Sequence, residues 1–246
     1  MLEALILGTV LLTSVVSGIF GMAGGMILMA VLVSVLSVGA AMMLHGAVQA
    51  VANGSRAWFL REHIQWRILP AYALGAALTV AVFIVLTLVP DANLILIIVG
   101  VLPFLARAVP HLKGLDVTHL PTATACGVIV TAAQLFAGAS GPLLDVFYLN
   151  APLNRFQIIA SKAITQAAGH VLKLVYYGLI VGVTDSVPAW LYGVAILVAL
   201  TGTRLGTLLL QRHFTDDRFR RVSSLVILLI AAVCIVKGGW GYLAAG

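Results

Sequence analysis

His45, Gln49, Asn53 and Arg56 follow one another at spacings of four, four and three residues. On a helix that spacing puts all four side chains on one stripe. The same spacing recurs in Lys162, Gln166, His170 and Lys173. The two stripes hold amides, imidazoles and cations, and no carboxylate. Such a lining suits an anion. His45 and Lys162 would bring positive charge from two sides, and Gln49 and Gln166 would donate amide hydrogen bonds. His170 is the candidate for proton coupling, because an ordinary imidazole titrates in the physiological range. Structural roles also suit these residues: polar side chains within a membrane hydrogen-bond between helices, and a cation near a helix end, such as Arg56, reaches for the interface.

Two further runs could meet such a ligand. Gly21-Met22-Ala23-Gly24-Gly25 and Gly138-Ala139-Ser140-Gly141-Pro142 are too rich in Gly and Pro to continue a helix. A broken helix offers unpaired backbone N–H groups and the positive end of a dipole. Gly24, Gly25 and Gly141 would let backbone approach the ligand, and Ser140 would add a hydroxyl. Close helix packing is the other use of such glycines. Asp145, Arg204, Thr165 and Gln134 are also polar within apolar segments. Asp145 is either a proton site or the partner of Lys162 or Arg155, and Thr165 and Gln134 suit interhelical hydrogen bonds.

These stripes lie in an overwhelmingly apolar chain. Of 246 residues, 62% are hydrophobic and 9% charged, against roughly 45–50% and about 25% in soluble proteins. A soluble protein is excluded. Apolar stretches recur at the length needed to cross a hydrocarbon core about 30 Å thick. The formal charge of +6 sits mostly in short loops, where it orients a membrane protein and needs no nucleic acid as partner. Cys126 and Cys234 lie inside apolar runs, as small hydrophobes and not as a metal site. Met1 to Gly18 runs apolar with no basic leader or A-x-A site, and is expected to remain as the first helix.

Charged and Pro/Gly-marked breaks predict single helices at roughly 40–60, 67–89, 93–107, 155–181, 188–211 and 222–244. Segments 3–37 and 120–150 are each expected to be two short helices meeting at the Gly-rich tip. With helices starting near residues 38 and 155, Gln49 and Gln166 lie about 16 Å along their axes, close to the bilayer midplane. The basic loops near Arg61–Arg67, Arg107–His119 and Arg212–Arg221 belong in the cytoplasm, and the acidic ones at Asp91 and Asp185 outside. Both assignments hold if 3–37 enters and leaves on the outer side and 120–150 on the inner side. Counting each broken segment as one crossing gives eight spans, but puts Arg212, Arg218, Arg220 and Arg221 outside.

The halves align. Phe20–Gly25 stands opposite Phe136–Gly141, and the first stripe stands opposite the second, His45 against Lys162 through Arg56 against Lys173. The expected fold is an all-α polytopic membrane protein of two inverted repeats, 1–118 and 119–246, each a re-entrant hairpin plus three transmembrane helices. Inverted repeats are typical of secondary transporters, with the site where the repeats meet.

Gly18 to Gly25, Phe136 to Pro142, Gly202-Thr203-Arg204-Leu205-Gly206 and the basic stretch Arg218 to Arg221 together resemble the sulfite exporter family of bacterial membrane permeases, which includes the taurine-linked sulfite exporters. The likeness covers nearly the whole chain. In that family a G-x-G-G-G run is followed by a proline; here Ala23 replaces one glycine and no proline follows nearby. The resemblance implies a multi-pass protein of the bacterial inner membrane that carries sulfite, sulfoacetate or a related organosulfonate. No G-x-x-x-x-G-K-[ST] run is present, so a gradient and not a nucleotide is expected to drive transport, with no cofactor. A homodimer through the exposed faces is also expected. Two other functions fit parts of the pattern. Gly138-Ala139-Ser140-Gly141 matches the G-x-S-G run of rhomboid-type intramembrane proteases, which would use Ser140 with His170, although Gly24 takes the equivalent place in the first half. An anion channel would use the same stripes.

Overall fold

The computed structural model describes residues 1–20, 23–108, 115–148, 151–182, 187–213 and 216–245. Of the features read from sequence, the Gly21-Met22 junction, residues 109–114 of the basic loop and Asp185 lie outside them. The side chains of Arg107, Arg155, Arg212, Arg218, Arg220 and Arg221 lie outside them as well. The described residues form α1 (Leu2–Phe20), α2 (Ala23–Val35), α3 (Val38–Phe59), α4 (Leu69–Leu86), α5 (Ala92–Ala108), α6 (Leu120–Ala137), α7 (Gly141–Tyr148), α8 (Arg155–Val175), α9 (Ala189–His213) and α10 (Asp216–Ala245), and no strand.

Local chemistry sets these boundaries. The Ser37 side chain accepts from the Ala40 N–H at the start of α3. At α8, Asn154 and Gln157 exchange side-chain and backbone hydrogen bonds in a capping box. Pro70 and Pro121 open α4 and α6, where a missing N–H costs nothing. α6 stops at Gly138, whose φ of 74° is left-handed and whose N–H returns to the Gln134 carbonyl. A Cβ there would also press on the sulfurs of Met29 and Met42, 2.6 and 3.0 Å away. Beyond Val175 the chain continues as a π-helical turn, Tyr176–Val181, closed by Gly182 at φ 68°.

The second broken segment breaks at Gly138, as the glycines predict, and in the first α1 ends at Phe20 and α2 starts at Ala23; the arms of both are unequal. α1 has 19 residues and α6 has 18, about 27–28 Å each, enough to cross a hydrocarbon core. α2 has 13 and α7 has 8. The expectation of two short helices per segment is corrected accordingly. Each Gly-rich run lies past the middle of its segment, so the helix before it stays long.

Helices α1, α4, α6, α8, α9 and α10 are long and apolar enough to cross a membrane. Their outward residues are apolar, as in Leu74, Leu78, Val82 and Val85 on α4 and Leu225, Leu229, Val233 and Val236 on α10. A stripe of that kind faces lipid. α3 has the length, 22 residues, but carries the first polar stripe.

The main helix pairs are α1 with α9, α4 with α6, α3 with α8, and α5 with α10. Glycines bring backbones together in three of them. A Cβ on Gly206 would overlap the Val15 carbonyl, one on Gly127 the Tyr72 carbonyl, and one on Gly238 the Asn93 carbonyl. Without a hydrophobic drive between helices in lipid, such close contact is what holds them. Matching α1–α5 in order with α6–α10 sends the α1/α9 pair onto α6/α4. It sends α3/α8 and α5/α10 onto themselves.

Candidate functional site

α3 and α8 cross antiparallel, and their stripes face each other. His45, near the start of α3, meets Lys173, near the end of α8, with Nζ 2.8 Å from Nδ1. A Cβ on the next residue, Gly46, would lie 3.0–3.3 Å from the Leu174 and Lys173 side chains. The His45 and His170 rings are 5.3 Å apart. Between the helices lies a cavity lined by Gln49, Asn53 and His45 of α3 and by Gln166 and His170 of α8. The starts of the two short helices complete the wall, with Gly25 and Met26 of α2 on one side and Ala139, Ser140 and Gly141 leading into α7 on the other. First-turn N–H groups have no acceptor within their own helix, so both helix starts bring amide donors to the cavity. Among the described residues no carboxylate lines it.

The polar groups are ordered by one another. Asn53 Nδ2 donates to the Gln49 carbonyl at 3.0 Å and to its Oε1 at 3.4 Å, which fixes the Asn53 amide and turns its oxygen away from α3's backbone. Nε2 of His45 lies 2.9 Å from the Gly25 carbonyl oxygen. A carbonyl only accepts, so Nε2 carries the proton and Nδ1 accepts from Lys173. Lys173 also donates to the Gly138 carbonyl at 3.1 Å. One hydrogen-bonded chain thus runs from the end of α6 through Lys173 and His45 to the start of α2. Ser140 Oγ is paired with Gln134 Oε1, while Nε2 of Gln134 and Nδ1 of His170 are buried without a partner among the described residues.

Seven of the nine residues singled out from sequence line the cavity: Gly25, His45, Gln49, Ser140, Gly141, Gln166 and His170. Gly24 and Lys162 do not. Gly24 faces α1, where a Cβ would overlap the Thr13 carbonyl and Ser17, so packing is the use the structure makes of it. Lys162 pairs with Asp145, one of the two arrangements open for that acid. His45 lines the wall with both ring nitrogens engaged, as a bridge between Lys173 and Gly25. Arg56 donates to the Ser17 carbonyl near the end of α1, at 3.3 Å.

Asn53 sits on the first stripe but was not among the site residues, and Met26 and Ala139 carry no polar signal. Lys173 was visible as the last member of its stripe, but its contact with His45 was not. Gln134 was assigned an interhelical hydrogen bond, and its partner is the hydroxyl of Ser140 beside the tip. The hydroxyl of Ser140 makes no hydrogen bond with His170, so the described residues form no Ser–His dyad; a nucleophile needs its base within about 2.6–3.2 Å.

Neither the curated proteins nor the solved structures include a match to this chain. A family model described as "Sulfite exporter TauE/SafE" matches residues 6–234, nearly the whole length, and the chain therefore belongs to the TauE/SafE sulfite exporter family, a family of membrane transporters.

Proposed function

We propose that this multi-pass transporter is a gradient-driven carrier of a small sulfur oxyanion or organosulfonate in the bacterial inner membrane, working by alternating access through the cavity between α3 and α8. The observation that carries the reading is the meeting of two helix starts from different halves of the chain at one cavity lined by neutral amides and imidazoles and by no carboxylate. Helix starts bind anions through their amides and dipole. Gly25, Gly141 and Ser140 then cradle the oxygens, and Gln49 and Gln166 donate from opposite helices. The name of the family points to sulfite. The halves 1–118 and 119–246 act as inverted repeats, each with a re-entrant hairpin, and rock against each other around the site. Support comes from the helix pairs, which exchange when one half is matched to the other. With α3 leading into it, the basic Arg61–Arg67 loop faces the cytoplasm.

A thermal-shift screen of the detergent-purified protein tests this, using sulfite, sulfate, thiosulfate, sulfoacetate, isethionate, taurine and acetate. A ligand held only by the native state adds about 2.7 kcal/mol at a hundredfold excess over its dissociation constant. One sulfur anion is expected to stabilise the wild type and to lose its effect in Gln166→Ala. No shift from any of them, together with peptide cleavage abolished by Ser140→Ala, would overturn the carrier in favour of the protease.

A further inference from the structure

Lys173 is wholly buried, and among the described residues its nitrogen has two acceptors, Nδ1 of His45 and the Gly138 carbonyl oxygen. A neutral amine has two N–H bonds and an ammonium three. The surroundings therefore match both N–H bonds of the amine, whose lone pair is left to take a proton, and leave the ammonium one acceptor short. The titratable groups that face it are His45 from α3 and His170 from α8 itself. α6 contributes a carbonyl, and among the described residues no carboxylate is paired with Lys173, His45 or His170. A cation held in the membrane without a counter-charge is costly. The cavity lies one side chain away, across His45, and an anion received there supplies the missing charge.

We propose that Lys173 carries the proton that travels with each anion, so that transport is an anion–proton symport. When the anion enters, the Lys173 amine takes one proton from water on the same side, and its third N–H turns toward the cavity. When the site opens on the other side, the anion leaves and the ammonium returns that proton to water there. On loading, an O–H bond of a hydronium ion breaks as the N–H bond forms, on release the reverse occurs, and one proton crosses per anion. His170, whose Nδ1 has no partner among the described residues and which lies on the cavity wall, is the group that passes the proton between water and the Lys173–His45 pair. The inference rests on the anion-carrier reading and assigns its coupling ion.

The test uses the full chain in proteoliposomes with radiolabelled sulfite as the probe. Counterflow into sulfite-loaded vesicles at equal pH reads binding and reorientation without net proton movement. Accumulation under a gradient of one pH unit reads coupling, which drives up to about tenfold for one proton per anion. The wild type is expected to do both. Lys173→Arg, charged at every working pH, is expected to retain measurable counterflow and lose coupled accumulation. Lys173→Gln, which has two N–H donors and no charge, is expected to lose it as well. Sulfite's own acid–base equilibrium is common to all three proteins, so the difference from wild type is the readout. Counterflow in the wild type with equal accumulation in wild type and Lys173→Gln would overturn this inference alone. Absence of wild-type counterflow would overturn the sulfite-carrier reading and this inference with it.

Discussion

Gly24 and Gly25 are neighbours that face opposite ways, and replacing each with alanine is expected to fail in a different assay. A Cβ on Gly24 would overlap the Thr13 carbonyl and Ser17 of α1. Backbone cannot yield by changing rotamer, so α1 and α2 must part. Overpacking of this kind costs about 1–3 kcal/mol, and the higher helix propensity of alanine returns less than about 1 kcal/mol in the first turn of α2. The net loss is about 1–2 kcal/mol. A Cβ on Gly25 would lie 3.4 Å from the Gln49 amide, a contact that a side chain relieves by a small rotation. The stability cost there stays within about 0.5 kcal/mol. The new methyl nevertheless stands at the cavity wall beside a proposed donor, and losing one such hydrogen bond, about 1.4 kcal/mol, weakens binding about tenfold.

Thermal unfolding in detergent, with and without sulfite, separates the two. Gly24→Ala is expected to lower the midpoint by several degrees, at about 2–4 °C per kcal/mol for a chain of this size, and to keep the increment added by ligand. Gly25→Ala is expected to keep the midpoint and, at a hundredfold excess of sulfite over the wild-type dissociation constant, to lose about half of that increment. Gly8→Ala and Gly54→Ala are the controls, since nothing lies within 4 Å of either added Cβ, and both should be neutral or stabilising by up to about 1 kcal/mol. A wild-type midpoint for Gly24→Ala, or a full ligand increment for Gly25→Ala, would refute the assignment of the first glycine to packing and the second to the site.

Three other outcomes follow from the same geometry. If the Gln134 amide is turned over, Nε2 gains a partner in Ser140 Oγ and the serine hydroxyl is free to donate into the cavity; Gln134→Glu can only accept that hydroxyl, so sulfite binding should weaken about tenfold in a titration while the fold is kept. Breaking the partly buried Lys162–Asp145 pair, whose side chains are 16% and 40% exposed, with Lys162→Met or Asp145→Asn should cost about 1–3 kcal/mol, recovered in part in the double variant, with sulfite affinity unchanged; a tenfold affinity loss in Lys162→Met would return that lysine to the site. Asn154→Ala removes the capping box of α8 and should cost about 1 kcal/mol, read as a lower unfolding midpoint.

Polar residues at helical spacing stand out in a chain this apolar, which is why the cavity wall was largely legible as two stripes. The breaks were legible because Gly and Pro have few other reasons to cluster inside apolar segments. The direction a glycine faces was not legible, since close approach to a ligand and close approach to a helix call for the same residue, and Gly24 serves the second. The contacts between the stripes were hidden for a different reason. Matching the halves sets His45 against Lys162, but helices that cross antiparallel bring the first residue of one stripe to the last of the other. His45 therefore meets Lys173, and Lys162 is left to Asp145. Arm length is not legible in sequence, because a break locates a junction and says nothing of how evenly it divides the segment.

A helix that stops inside a membrane leaves two kinds of unpaired backbone, carbonyls at the end that stops and amides where the chain resumes. In hydrocarbon neither is tolerated without a partner. Here the last basic residue of each stripe goes to the carbonyls: Arg56 to Ser17 near the end of α1, and Lys173 to Gly138 at the end of α6. That leaves the amide ends of α2 and α7 to face the cavity, with neutral glutamines between them. In the carrier proposed above, an anion is then met by helix ends and amides, while Arg56 is spent on a backbone carbonyl and Lys173 is charged only while the anion is bound. Direct contact with two fixed cations would hold a small oxyanion tightly, whereas a carrier has to bind its substrate and also release it within the cycle. The division of labour between the two ends of each broken helix supplies attraction of the right sign and moderate strength.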